Sequence, residues 1–170
     1  IYQDDEADQI TDEIFYILCT KIVDLLLHVL KFKEKKETIY IGITRRPKIT
    51  YSEEKDCYKD GFHIIIPGIK VTRGTKKFII KKLIDNEFID QQLGEIEPAN
   101  MTLPNGQKYQ RNDFLDVNSA HVPTYFIGSS TKNGQPPYKL THVYEVTAHT
   151  ETKNIMVVRN ESMLKNLDVN

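Results

Sequence analysis

The sequence predicts an α+β fold with a mainly antiparallel sheet packed by two main helices. Three observations lead there. Two segments repeat apolar residues at helical spacing, several shorter ones are β-branched and bounded by turn residues, and the two kinds mix without strict alternation. A chain of 170 residues supports one sizeable core, so 1–170 is expected to form a single domain.

The first helix is expected after Thr11, which can cap it, with Asp12 and Glu13 in the first turn, where the helix dipole favours carboxylates. Ile14, Phe15, Leu18, Ile22, Leu25, Leu26 and Val29 make one core-facing stripe, with His28 beside it. The charged run KFKEKKE ends that helix and reads as a solvated connection. Residues 39–44 (IYIGIT) read as a strand, followed by a polar stretch with Arg45, Arg46 and Pro47. The most strand-like segment is 61–69 (GFHIIIPGI), with three isoleucines in a row and Pro67 stopping it. A second helix is expected over 75–93, with Phe78, Ile79, Leu83, Ile84 and Phe88 facing inward. A loop rich in Asn, Pro and Gly spans 95–112. Strands are then expected at 114–117, 122–127, 138–148 and 154–159, before a frayed, polar C-terminus.

Composition narrows the class. With 39% hydrophobic and 28% charged residues, the chain is neither a disordered tail nor a membrane protein. Lys21, Asp24 and His28 interrupt the longest apolar helical stretch, 14–32, so no membrane partner is expected. The acidic opening IYQDDEADQ is unlike a secretory leader, and without an initiator Met the chain reads as a fragment of something longer. Cys19 and Cys57 form no CxxC and no zinc spacing, which points to a reduced, intracellular compartment. The formal net charge is only -1, yet residues 31–82 hold 15 Lys/Arg against 6 Asp/Glu, leaving -10 on the rest. Such asymmetry fits a polyanionic partner, or two solvated faces of opposite sign.

There is no P-loop, GxGxxG, HExxH or GxSxG, so a self-contained NTPase, Rossmann or hydrolase reading has no support. Three segments can carry chemistry instead. In Lys59-Asp60-Gly61-Phe62-His63, the histidine falls in an apolar run, where an unpaired ring nitrogen would cost on the order of 1–3 kcal/mol. It is either a core histidine bonded to a backbone carbonyl or a group opening onto a phosphate-binding cleft. Leu115-Asp116 puts a carboxylate at the end of a short apolar segment, suited to Mg²⁺ or Mn²⁺ or else to a turn. Gly128-Ser129-Ser130-Thr131-Lys132 is a small-residue loop whose amides and lysine can cradle phosphate. In addition, Arg73, Lys76 and Lys77 crowd the start of the second helix, against its dipole. A bound phosphate would relieve that conflict, although lysines there also serve solubility alone.

Taken in order, KDGFHIIIPGIKVTRGTKKFIIKKLI, FLDVNSAHVPTYFIGSS and PPYKLTHVYEV resemble the archaeo-eukaryotic primase domain of the poxvirus-type primase–helicase of large nucleocytoplasmic DNA viruses. The version in African swine fever virus looks nearest. The resemblance runs from about Lys59 to Val146, and the first helix matches in character only. It implies a primase-type core built on an RNA-recognition-like sheet, and primer synthesis on single-stranded DNA from nucleoside triphosphates by a two-metal mechanism with Mg²⁺ or Mn²⁺. It also implies a helicase domain in the same polypeptide and work at a viral replication site, in the host cytoplasm.

The family's SxH motif corresponds to Gly61-Phe62-His63, which implies that His63 contacts the nucleotide's phosphates. Its hydrophobic-Asp motif corresponds to Leu115-Asp116, which implies Asp116 as a metal ligand. Ser129, Ser130 and Lys132 look like nucleotide contacts, and Lys59, Arg73, Lys76 and Lys77 like DNA or phosphate contacts. Two departures stand out. The motif's serine is Gly61 here, and no DxD set in an apolar strand precedes His63, Asp4-Asp5-Glu6 being a poor substitute. The paired carboxylates are therefore expected upstream of residue 1, and the chain as written is expected to be inactive while its parent polymerises. The alternative is an inactive module of primase fold that holds template for a helicase.

Overall fold

The computed structural model describes residues 2–3, 10–53, 56–85, 106, 115–116 and 137–167. In chain order these give β1 (Tyr2–Gln3), α1 (Asp12–Val29), β2 (Lys36–Arg45), β3 (Thr50–Ser52), β4 (Cys57–Lys59), β5 (Phe62–Ile65), α2 (Arg73–Ile84), β6 (Lys139–His149), β7 (Ile155–Arg159) and α3 (Glu161–Leu167). Four strands form one sheet in the order β5-β2-β6-β7, and β1-β4-β3 form a smaller one. Every described pairing is antiparallel, so the expected α+β class holds.

Alternation along β2 decides which face of the larger sheet meets α1. Ile39, Ile41 and Ile43 point one way and are buried against Phe15, Cys19 and Val23 of α1, with Tyr144, Val146, Ala148 and Val157 completing the cluster. Burial pushes the Cys19 thiol up to about 12, so it behaves as a small hydrophobe. Next to this cluster, Ile22 and Leu26 of α1 pack on Ile79 and Leu83 of α2, with Ile64, Ile66 and Leu115 against them. Phe62 and Ile64 of β5 therefore belong to the helix side. His63 and Ile65 point to the other face, beside Thr44, the strand partner of His63.

The pairing of β2 with β6 slips at Ile43/Thr44: Ile43 faces His142, while Thr44 faces Leu140. Thr141 is the extra residue, and its hydroxyl donates to the Ile43 carbonyl at 3.2 Å. This bulge reverses the phase of the strand. His142 faces α1, whereas Leu140 comes to the His63 face, where its Cδ1 lies 3.1 Å from the point a Cβ on Gly42 would occupy. Only glycine admits that approach without movement.

Several expectations are corrected. Thr11 is the residue before α1 but makes no side-chain cap hydrogen bond. The run KFKEKKE is not all connection, because its last two residues begin β2. The second helix starts at Arg73, with Thr72 accepting from the Thr75 amide at 3.1 Å; Phe78 is exposed, and Phe88 lies outside the described residues. Leu115 is a bend and Asp116 irregular, not a strand. Residues 161–167 are helical where fraying was expected. The loop 95–112, apart from Gly106, and the strand at 122–127 lie outside the described residues.

Candidate functional site

His63 sits on β5, the outermost of the described strands of the sheet, half-buried, and its ring stacks on Tyr138 with centroids 4.1 Å apart and planes 21° from parallel. Arg46, just past the end of β2, lies against the same tyrosine, its guanidinium carbon 4.8 Å from the ring centroid. Burial lowers the His63 pKa, and the charges of Arg46 and Lys76 lower it further. An imidazole held neutral among cations costs the fold little at neutral pH and offers a ready place for an anion. No hydrogen bond to the His63 ring is found among the described residues.

The strand that delivers His63 is pinned from behind. Arg45 donates to Asp60 at 2.5 Å, with the side chains 13% and 4% exposed, and Asp60 accepts the Gly61 amide at 2.7 Å. Arg45 also lies over the Phe15 ring, 5.9 Å from its centroid, and Phe15 meets Phe62 edge-on at 5.1 Å. The corner leading into β5 is thus tied to β2 by a nearly buried ion pair and to α1 by aromatic packing.

Of the residues picked from sequence, Lys76, half-buried on α2, carries a charge that helps lower the His63 pKa. Arg73 and Lys77 are exposed on α2, and Lys59 is exposed on β4 in the smaller sheet. Asp116 is exposed beside Leu115, which packs against the α1–α2 cluster. Ser129, Ser130 and Lys132 lie outside the described residues. Among the described residues no three His, Cys, Asp or Glu side chains converge as a metal site. Asp116 alone does not make a divalent-cation site, which wants several anionic oxygens. Arg46 and Tyr138 carried no role in the sequence reading; their signals were the Arg-Arg pair after IYIGIT and the tyrosine of PPYKL. The missing serine of the SxH pattern is not sterically enforced, since a Cβ at Gly61 meets nothing within 4 Å.

A second polar cluster occupies the opposite face. His142 Nε2 lies 2.9 Å from Asp12 Oδ1 and its Nδ1 2.9 Å from the Thr141 hydroxyl. Arg159 bonds the other Asp12 oxygen and also Glu161. Burial lowers the His142 pKa, Asp12 opposing it and Arg159 and Arg45 adding to it. For Asp12 itself, burial raises the pKa, but His142 and Arg159 outweigh it and hold the carboxyl below its usual value. Burial pushes the Tyr144 hydroxyl up to about 12, with the Asp12 carboxylate adding to the shift. This cluster ties the start of α1 to β6, β7 and α3.

The chain matches known proteins over most of its length. A protein-family model described as the C962R protein N-terminal AEP domain matches residues 1–144. A protein named "Putative primase C962R" from African swine fever virus, isolate Warthog/Namibia/Wart80/1980, is 30% identical over 129 residues, 76% of this chain. Its counterpart from isolate Pig/Kenya/KEN-50/1950 is 29% identical over 140 residues, 82% of this chain. The chain spans only 12% and 13% of the length of these two relatives. Among the described residues, no helix is long and apolar enough to cross a membrane. With the ordered GFH, LD and PPYKL segments inside a match of this extent, the chain belongs to the family of N-terminal archaeo-eukaryotic primase (AEP) domains typified by the C962R protein.

Proposed function

We propose that this chain is a single AEP domain within a longer viral primase–helicase polypeptide, and that the His63 face binds the triphosphate of the nucleotide being added to a primer. One observation carries the reading: in a chain of this family, the histidine of the SxH-like segment faces away from α1, stacked on Tyr138 with Arg46 against the same ring. His63 and Arg46 neutralise charge that develops on the phosphates as the new bond forms. The template is single-stranded DNA, steered by the basic stretch 31–82 through backbone contacts that weaken with salt. The divalent metal that primases of this family use would take Asp116 as one ligand and would lower the pKa of the attacking hydroxyl. Ser129, Ser130 and Lys132 are proposed nucleotide contacts, and Lys59, Arg73 and Lys77 contacts to DNA phosphate. The place of work is a viral replication site in the host cell.

The test is primer synthesis on single-stranded DNA by the full-length protein with Mg²⁺ or Mn²⁺, beside Asp116→Ala and His63→Ala. Loss of synthesis in both, with DNA binding kept, is the expected result. Undiminished synthesis in both variants would overturn the assignment. No synthesis by the unaltered protein, with salt-sensitive DNA binding intact, would support a template-holding module instead.

A further inference from the structure

Tyr138 is buried, yet among the described residues it is in neither apolar cluster of the helix side; its ring stacks on His63 and lies against Arg46. It reaches that position because the bulge at Thr141 turns the start of β6 toward the His63 face while His142, two residues past Leu140, turns to α1. An imidazole and a guanidinium that can both carry charge repel each other when they converge. The negative face of an aromatic ring offsets part of that repulsion and restricts both side chains to planes stacked on it.

We infer that Tyr138 is a positioning residue, a shared plate that fixes His63 and Arg46 so that both present N–H groups to one polyphosphate, with Arg46 a direct phosphate ligand. This rests on the triphosphate reading of the His63 face and names two residues that the motifs leave out. Arginine suits the role because its flat fork can lie on the ring and still aim donors outward, which lysine cannot do. The ring, and not the tyrosine hydroxyl, carries the function.

The experiment measures ATP affinity of the 170-residue chain and of Tyr138→Phe, Tyr138→Leu and Arg46→Lys, with the His63 ring protons followed by NMR. Tyr138→Phe is expected to bind within about twofold of the unaltered chain, and Tyr138→Leu roughly tenfold more weakly, the size of one lost stacking contact. The upfield ring-current shift of His63 should persist in the first and vanish in the second. Combined with His63→Ala, Tyr138→Leu should add little further loss, because the two act as a unit. Should Tyr138→Leu fail to fold, Arg46→Lys carries the test: charge is kept, the flat face is lost, and affinity should still fall severalfold. Unchanged affinity in Tyr138→Leu or in Arg46→Lys, with ATP bound by the unaltered chain, would overturn the positioning role and leave the triphosphate reading standing. Failure of the unaltered chain to bind ATP would remove both.

Discussion

His63 and His142 lie on the same sheet, the first half-buried and the second buried, and they keep opposite company. His142 faces α1 inside a closed chain of partners, with Thr141 on one ring nitrogen and the Asp12 carboxylate on the other. His63 faces away from α1, stacked on Tyr138 with Arg46 against the same ring, and no carboxylate acts on it among the described residues. A histidine whose nitrogens are both spoken for by its own fold is a fastener. The other, stacked beside an arginine with no carboxylate acting on it among the described residues, is the one we propose for an anion.

The largest effect should come from the anchor behind His63. Asp60→Ala removes the carboxylate that neutralises the nearly buried Arg45 and is expected to cost about 3–5 kcal/mol in urea unfolding. Asp12→Ala, by contrast, breaks a pair whose carboxylate is 61% exposed, and should cost no more than about 1 kcal/mol. Next, His63→Ala should lower primer synthesis by the full-length protein about a hundredfold, as loss of one charge-stabilising donor does. Its unfolding midpoint should barely move. His142→Ala should do the reverse: synthesis within a few-fold of normal, and about 1–3 kcal/mol of stability lost, because the buried ring that packs on Phe15 is removed.

Acid should act on both histidines in the same direction. Each has its pKa lowered in the fold from an ordinary 6.5, so the unfolded chain binds protons first as pH falls below that value. Their stabilising contribution is complete above pH 6.5 and is lost as the pH drops through the folded values. Asp12, lowered from 3.8, loses its contribution only below that pH. A polyphosphate should offset the loss at His63 and leave that at His142 untouched, which thermal unfolding in His63→Ala and His142→Ala backgrounds would separate. The smallest change should follow Gly61→Ser. With open space at the Cβ, it should fold normally and tighten ATP binding modestly by restoring the hydroxyl of the family pattern.

The elements with long periodic patterns were legible in the sequence. The stripe of α1 and the isoleucines of β2 each bury the face that their spacing indicates, and the β-branched run expected over 61–69 holds a strand at Phe62–Ile65. The β3–β4 hairpin was not, because three-residue strands carry too little alternation to register. Nor was α3, a seven-residue helix too short for its apolar residues Met163, Leu164 and Leu167 to show a period. His63 was visible as a polar residue in an apolar strand, and Lys76 as a cation at the wrong end of a helix. The meeting of Arg46 and Tyr138 was hidden, since it joins the end of β2 to the start of β6 and depends on a one-residue bulge that no composition signal marks.

The most direct test of the account is a two-histidine titration. ATP would be added to the 170-residue chain while the ring resonances of His63 and His142 are followed by NMR across pH 5 to 8. The account predicts that His63 shifts with saturation and its pKa rises toward or above 6.5, while His142 stays where it was. Movement of His142 with His63 unaffected, or movement of neither, would contradict it.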